Sequence, residues 1–331
     1  HDPVQARKYL TLAGDVALGA YANHEAESYY RRALDLNPSE SEETGLFASL
    51  GEALVRQNRF REAMAVWWEG IERCTGLADL DTLARLYARS AWAARQANSP
   101  EEQLALCLDG LERASGAEDG PGLVRLLRET ARAYGDRASR EEGEPYARRA
   151  LNMAEHLGDV EAQAYALATL TVEMGGSREE SITRATKALK LSEENGLMLI
   201  GLRARRALAF AWTGLGNNRE GIEHSRRGAE LARQAGFTSG QIRMLTILAH
   251  AASRLGDFDE AGRTLSQALL LLTEVGDSTR VATRLALEEI WYSEHMGHWP
   301  AAAQKARSLC VSLREQASER DLADAAMGLG W

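Results

Sequence analysis

Apolar residues fall along this sequence in short blocks at three- and four-residue spacing, and Gly, Asn, Asp or Pro closes each block. That spacing puts the apolar residues on one face of a helix. The clearest pair of blocks is Leu10-x-x-Ala13-Gly14, then Ala26-x-x-x-Tyr30-x-x-Ala33-Leu34, closed at Pro38. The next is Phe47-x-x-Leu50-Gly51-x-x-Leu54, then Phe60-x-x-Ala63-x-x-x-Trp67-x-x-Gly70. Each pair predicts two short helices, A and B, joined by a tight turn. Small residues let the two helices approach closely, and large ones plug the gap to the next pair. Trp67 is expected to be such a plug, with Trp68 beside it partly exposed.

The small residue near the middle of helix B can be followed through Ala33, Gly70, Gly110, Ala150, Ala188, Gly228 and Ala268, with Leu309 as a less regular eighth. Successive differences are 37, 40, 40, 38, 40, 40 and 41. Turn residues recur between pairs, as at Gly158-Asp159 and Asn195-Gly196, and within them, as at Gly216 to Asn218 and Gly256-Asp257. Ser39 to Glu42, Ser99 to Glu102 and Ser177 to Glu180 have the Ser-x-x-Glu form of a capping box. The next Leu-Gly of a helix A is due near position 330, where Leu329-Gly330 stands. The expectation is a single all-α array over 1–331. Its repeats run over 4–40, 41–78, 79–118, 119–157, 158–197, 198–237, 238–277 and 278–318, with a truncated ninth at 319–331. The chain opens on His1 rather than Met, and is expected to be a fragment.

Composition agrees with helices. Hydrophobic residues make up 45% but aromatic ones only 6%, and Ala, Leu, Arg and Glu lose little side-chain freedom in a helix. All six prolines (Pro3, Pro38, Pro100, Pro121, Pro145 and Pro300) stand beside turn-like residues, where they are expected to start helices or separate them.

The block motifs resemble the tetratricopeptide repeat: a large residue, Leu-Gly three later, then Ala, an aromatic, Ala and a closing Pro. A step near 40 exceeds the commoner repeat of about 34 residues. Long repeats of this kind resemble those of large bacterial signalling proteins that place a helical array after an ATP-binding module. These are the maltose-activator-like helix-turn-helix regulators, and nucleotide cyclases with an ATPase domain. The segment Leu12 to Leu34 looks like the first repeat after such an ATPase, although neither a phosphate loop nor a terminal DNA-binding helix pair stands in this sequence. The resemblance implies a right-handed helix-turn-helix solenoid with helix A of every unit on the concave face. It implies a binding scaffold with no catalytic machinery.

By the same resemblance, inward-facing positions lie two, five, nine and twelve or thirteen residues into a unit. The second position reads Arg85, Arg125, Gln163, Arg203, Arg243 and Arg284. The fifth adds Arg128 and Arg206, and the ninth gives Trp92, Arg132, Phe210, His250 and Trp291. Later positions add Arg95, Arg254 and His295. Such a basic groove studded with aromatic side chains suits an acidic peptide or partner segment, because guanidinium forks match carboxylates and aromatic faces give low-entropy contact. A small anionic effector bound in the groove is the alternative function. Recurrent arginines in stacked repeats also pair with acidic residues of the adjacent helix, and that reading stands beside the first.

Charge and chemistry narrow the field. The net charge is 39 minus 48, or −9, which disfavours direct nucleic-acid binding, as does a period unlike that of pentatricopeptide arrays. Cys74, Cys107 and Cys310 form no Cys-x-x-Cys pair and read as buried thiols of a reducing compartment. No apolar run approaches the roughly 20 residues that span a bilayer, and a cytoplasmic protein without membrane contact is expected. His295 and His298 flank a turn, so a metal ligand pair is not expected, and no cofactor is expected. Glu288 and Glu289 are adjacent, point to different sides of a helix and make no acid/base pair.

Overall fold

The structure is a computed structural model that describes residues 2–20, 22–57, 59–73, 80–97, 99–137, 139–171, 177–275 and 279–316. These form an all-α chain whose helices pack in sequential pairs. The A helices are α1 (Pro3–Gly19), α3 (Glu40–Arg56), α5 (Leu80–Gln96), α7 (Pro121–Asp136), α9 (Val160–Thr169), α11 (Met198–Gly214), α13 (Thr238–Arg254) and α15 (Thr279–His295). The B helices that follow them are α2 (Asn23–Leu34), α4 (Phe60–Arg73), α6 (Pro100–Arg113), α8 (Arg140–His156), α10 (Arg178–Glu194), α12 (Asn218–Gln234), α14 (Phe258–Val275) and α16 (Trp299–Gln316). The expected ninth repeat, and Cys74, lie outside the described residues. Two compact units are distinguished: residues 1–134 with 145–162, and residues 135–144 with 163–331.

Turn chemistry sets the helix ends. Gly158, Gly196, Gly216, Gly236, Gly256 and Gly297 all adopt a left-handed φ between 64° and 86°. In each case the next residue donates its N–H five residues back, as in Leu197 to Ser192 (2.8 Å) and Asp257 to Ala252 (3.0 Å). This closes the last carbonyls of the helix, and only glycine adopts that φ without a Cβ penalty. Starts are capped by side chains. Asp2 accepts from Val4 N–H at 2.9 Å, Ser177 from Glu180 N–H at 3.1 Å, and Asp81 from both Gly122 and Leu123 N–H across repeats. Glu42 reaches back to Ser39 N–H at 3.0 Å, as the Ser-x-x-Glu spacing predicts.

Two local expectations fail. Ser99 makes no side-chain cap to α6, and its hydroxyl accepts from the Arg61 guanidinium of α4. Pro145 does not start a helix but sits inside α8 at an exposed position, where its missing N–H costs least.

Inside each unit, large side chains seat on small residues as the sequence predicts. Trp67 is buried against Gly51, Tyr30 lies over Gly14, Tyr87 over Gly110 and Met244 over Gly228. Trp68 is partly exposed and meets Tyr87 edge-on. Cys107 is a buried free thiol, and burial and the nearby Glu129 push its pKa up. The buried Tyr87 hydroxyl donates to Asp109 and accepts from Arg113 at 2.8 Å. Burial first, and then Asp109, push its pKa up to about 12.

An unfolded tyrosine titrates near 10. A raised folded pKa therefore gives stability that is complete below pH 10 and lost as pH rises from about 10 to about 12. Urea midpoints measured from pH 9 to pH 12 should fall over that window, and fall less in Tyr87→Phe. An equal fall in both would remove the phenol from the account.

Candidate functional site

In the first unit, α5 and α7 present the arginines. Arg85 is half-buried and, among the described residues, reaches back along its own helix to Thr82 Oγ1 at 3.1 Å and to Asp81 at 3.8 Å. Arg125, forty residues on, is exposed, and among the described residues no carboxylate pairs with it. Between them stands Arg89, which donates to Ala48 O at 3.2 Å and to Glu52 at 3.4 Å on α3. Burial holds the Arg89 pKa below the usual arginine range, Glu52 opposes this, and Arg125 and Arg85 add repulsion. Three guanidinium groups thus lie close together, Arg85 beside Asp81, Arg89 beside Glu52 and Arg125 beside no carboxylate among the described residues. In a partly desolvated site, such an excess of positive charge attracts anions more strongly than it would in water.

Arg89 was absent from the sequence expectation. It lies one position past the fifth of its unit, where no ladder of like residues marks it. Its only signal is the four-residue spacing from Arg85.

The rest of α7 behaves differently. Arg132 and Glu129 are buried, and Arg128 is nearly so. The Glu129 carboxylate lies 3.7 Å from Arg128 and 3.6 Å from Arg132. These two arginines neutralise a buried anion of their own helix. Trp92 turns toward Phe60 of α4, its ring edge-on at 5.9 Å, and Arg95 is half-buried.

In the second unit, Arg203 of α11 donates to the Tyr165 hydroxyl of α9 at 3.1 Å and lies 4.7 Å above its ring. This arginine bridges adjacent repeats through the hydroxyl and ring of Tyr165. Gln163, Arg206, Arg243 and Arg284 are half-buried, while Phe210 and Arg254 are exposed. α13 and α15 bring together His250, Trp291 and His295. Nδ1 of His250 lies 3.1 Å and 3.2 Å from the two oxygens of the buried Glu288. The His250 ring is 5.4 Å from Trp291, which in turn is 3.8 Å from His295. Glu288 is engaged there and Glu289 pairs with Lys305 of α16, so the two carboxylates do point apart.

A cavity of about 580 Å³ opens among α10, α11 and α12, with Leu189, Leu197, Met198 and Leu231 among its lining residues. Its basic residues are already matched: Arg205 with Glu193, Arg226 with Glu260 and Arg227 with Glu223. It has no surplus positive charge for an anionic effector. Among the described residues no group of three His, Cys, Asp or Glu side chains is placed to hold a metal, and no helix is long and apolar enough to cross a membrane.

No protein-family model and no curated protein sequence matches this chain. Solved structures do. A Rap protein complexed with Competence and Sporulation Factor superposes with TM-score 0.65 at 12% identity, over 98% of this chain and 96% of that one. NprR in complex with its cognate peptide NprX gives 0.63 at 13% identity, over 87% and 82%. The fold is the tetratricopeptide-repeat fold. A signal transduction ATPase with numerous domains from Pyrococcus horikoshii, with a tetratricopeptide repeat sensor, also superposes with TM-score 0.63 at 13% identity. This tetratricopeptide chain is covered to 98% in that match and spans 49% of the ATPase chain. All three identities are low enough that the likeness concerns the fold alone.

Proposed function

We propose that this chain is a non-catalytic, cytoplasmic regulatory repeat domain of a larger bacterial signalling or transcription-regulatory protein. In this reading residues 1–331 act as one tetratricopeptide array whose arginines bind an acidic peptide or protein segment. The observation that carries it is the proximity of Arg85 and Arg125 to Arg89, with Arg125 exposed and unpaired among the described residues while Arg89 meets Glu52 and Arg85 meets Asp81. Two matched structures hold peptides or factors, and a third is a sensor in an ATPase, which supports a recognition role of the same kind. The partner segment belongs either to another protein or to the parent chain. A small anionic effector is the less favoured reading, because the cavity of suitable size has its arginines paired.

Arg125 is the residue to change. It is exposed and unpaired among the described residues, so Arg125→Glu should leave thermal melting unaltered. Arg128→Glu would confound the result by placing a second carboxylate beside buried Glu129. Fluorescence anisotropy with a labelled Asp/Glu-rich dodecapeptide should show Arg125→Glu binding at least about tenfold more weakly, or roughly 1.4 kcal/mol. Rising salt should weaken the wild-type complex. Equal affinity of the two proteins for the peptide, or equal affinity of the wild type for an Asn/Gln isostere, would sink the reading. Displacement of the peptide by inorganic phosphate at matched ionic strength would favour the small-anion alternative.

A further inference from the structure

The cleft of about 580 Å³ among α10, α11 and α12 plays no part in the arginine cluster of α5 and α7, and its floor is unusual. Gly201 lies there, in the first half of α11. Two residues before Arg85, Arg125 and Arg243, the same repeat position holds Leu83, Leu123 and Gln241. Those three are 7%, 3% and 8% exposed, so the position is one where a side chain packs. Glu161 and Ala282 take it in α9 and α15, which leaves α11 as the helix of that ladder with no side chain there.

Nothing around Gly201 demands a glycine. A Cβ would meet only Ser192 Cβ at 3.5 Å and Leu189 Cδ1 at 4.0 Å, both ordinary contacts. By contrast, a Cβ on Gly110 would lie 2.6 Å from Tyr87, and one on Gly228 2.2 Å from Met244. Gly201 has no left-handed φ either. A glycine inside a helix is destabilising relative to alanine, so this one keeps space open at a cost to the fold. Departures of that kind from local preference are expected at functional sites.

The walls say what the space suits. Leu189, Leu197, Met198 and Leu231 line it, and the floor hydroxyl of Ser192 donates to Ala188 O of its own helix at 2.6 Å. At the rim Arg205 pairs with Glu193, Arg227 with Glu223, Arg226 with Glu260 and Glu230 with Arg233. These charges answer one another and leave no net sign for an ion to meet. The volume falls in the range of small-molecule pockets, about 300–1,000 Å³, and far exceeds what one side chain of a partner would fill. The chain is described without a gap from 177 to 275, so α10, α11, α12 and the turns joining them are all in place around the cleft.

We propose that this cleft binds an uncharged, apolar small molecule, seated over Gly201 between the two B helices α10 and α12. Burial of apolar surface against the four aliphatic side chains drives the binding. A charged group there would have to break an ion pair at the rim or go unpaired. Because α10 and α12 belong to successive repeats, the bound molecule ties them together and raises the melting temperature of the chain. The inference stands apart from the acidic-segment reading, since none of these residues belongs to the arginine cluster.

The test uses N-phenyl-1-naphthylamine, an uncharged probe that fluoresces in apolar surroundings, and its anionic relative 1-anilinonaphthalene-8-sulfonate. The uncharged probe should saturate at a single site and bind at least about tenfold tighter than the sulfonate. Gly201→Leu fills the space with the chain's own atoms, so it should raise the urea midpoint and weaken probe binding at least about tenfold. Met198→Asp, at the exposed first position of α11, should melt as wild type does and weaken the probe likewise. Arg125→Glu should bind the probe unchanged. The proposal is overturned if wild type shows no saturable binding, if either cleft variant keeps wild-type affinity, or if the sulfonate binds as tightly as the uncharged probe. A lowered urea midpoint in Gly201→Leu would also overturn it, by showing that the space over the helix is not free.

Discussion

Gly51→Ala should lower the urea midpoint of the chain by the equivalent of about 1–3 kcal/mol, the range of overpacked cores. At an exposed helical site the same change stabilises by up to about 1 kcal/mol, because alanine loses less backbone entropy. Here the sign reverses. A Cβ on Gly51 would lie 2.0 Å from Trp67 Nε1 and 2.2 Å from Cε2, closer than any real contact. Trp67 is buried on all sides, and its Nε1–H donates to Ala48 O at 3.3 Å, so the ring has nowhere to go without losing that bond. Gly45 in the same helix is the control: it is exposed and a Cβ there meets nothing within 4 Å. Gly45→Ala should raise the midpoint. If both variants shift in the same direction, helix propensity rather than the Trp67 seat governs this pair.

The second large effect concerns the buried charges of α7. Arg132→Met leaves buried Glu129 with half the positive charge beside it, Arg128 at 3.7 Å being the cation that remains among the described residues. Removing one partner of a buried pair typically costs about 3–5 kcal/mol, because the remaining charge stays out of water with less to compensate it. Replacing both, as Glu129→Leu with Arg132→Met, should recover most of that loss. Urea unfolding of the two variants reads the comparison directly. A double variant no more stable than Arg132→Met would show that the charges do more than neutralise each other.

Much of the fold was legible because it rests on a few repeated constraints. Gly14 and Gly51 can be read as contact points because an aromatic residue follows at a fixed offset in each pair, and the structure seats Tyr30 and Trp67 on them. The six left-handed glycines stand at turns that the sequence marks plainly. The candidate site was less legible, since a repeat position says which way a residue starts out but not which partner it finds. Arg125 and Arg132 share α7, yet one is exposed and the other is drawn into a buried pair with Glu129. From sequence alone, Glu129 stands four residues from Arg125 and three from Arg132, and nothing decides between them. Likewise, Ser99 has the spacing of a cap, but its hydroxyl meets Arg61 of the preceding helix B and makes no cap bond.

The uniform turns make the repeat an interchangeable cassette. Gly196 and Gly236 share nearly one backbone conformation, with φ of 68° and 64°, and the following N–H closes on Ser192 and on Ala232 in the same way. Excising residues 197–236 would join Gly196 to Phe237 across matching bond directions, and the helix after the cut would leave at the angle its predecessor used. Unequal recombination between such sites would keep the turn, while Met244 would then face Ala188 in place of Gly228 and have to repack.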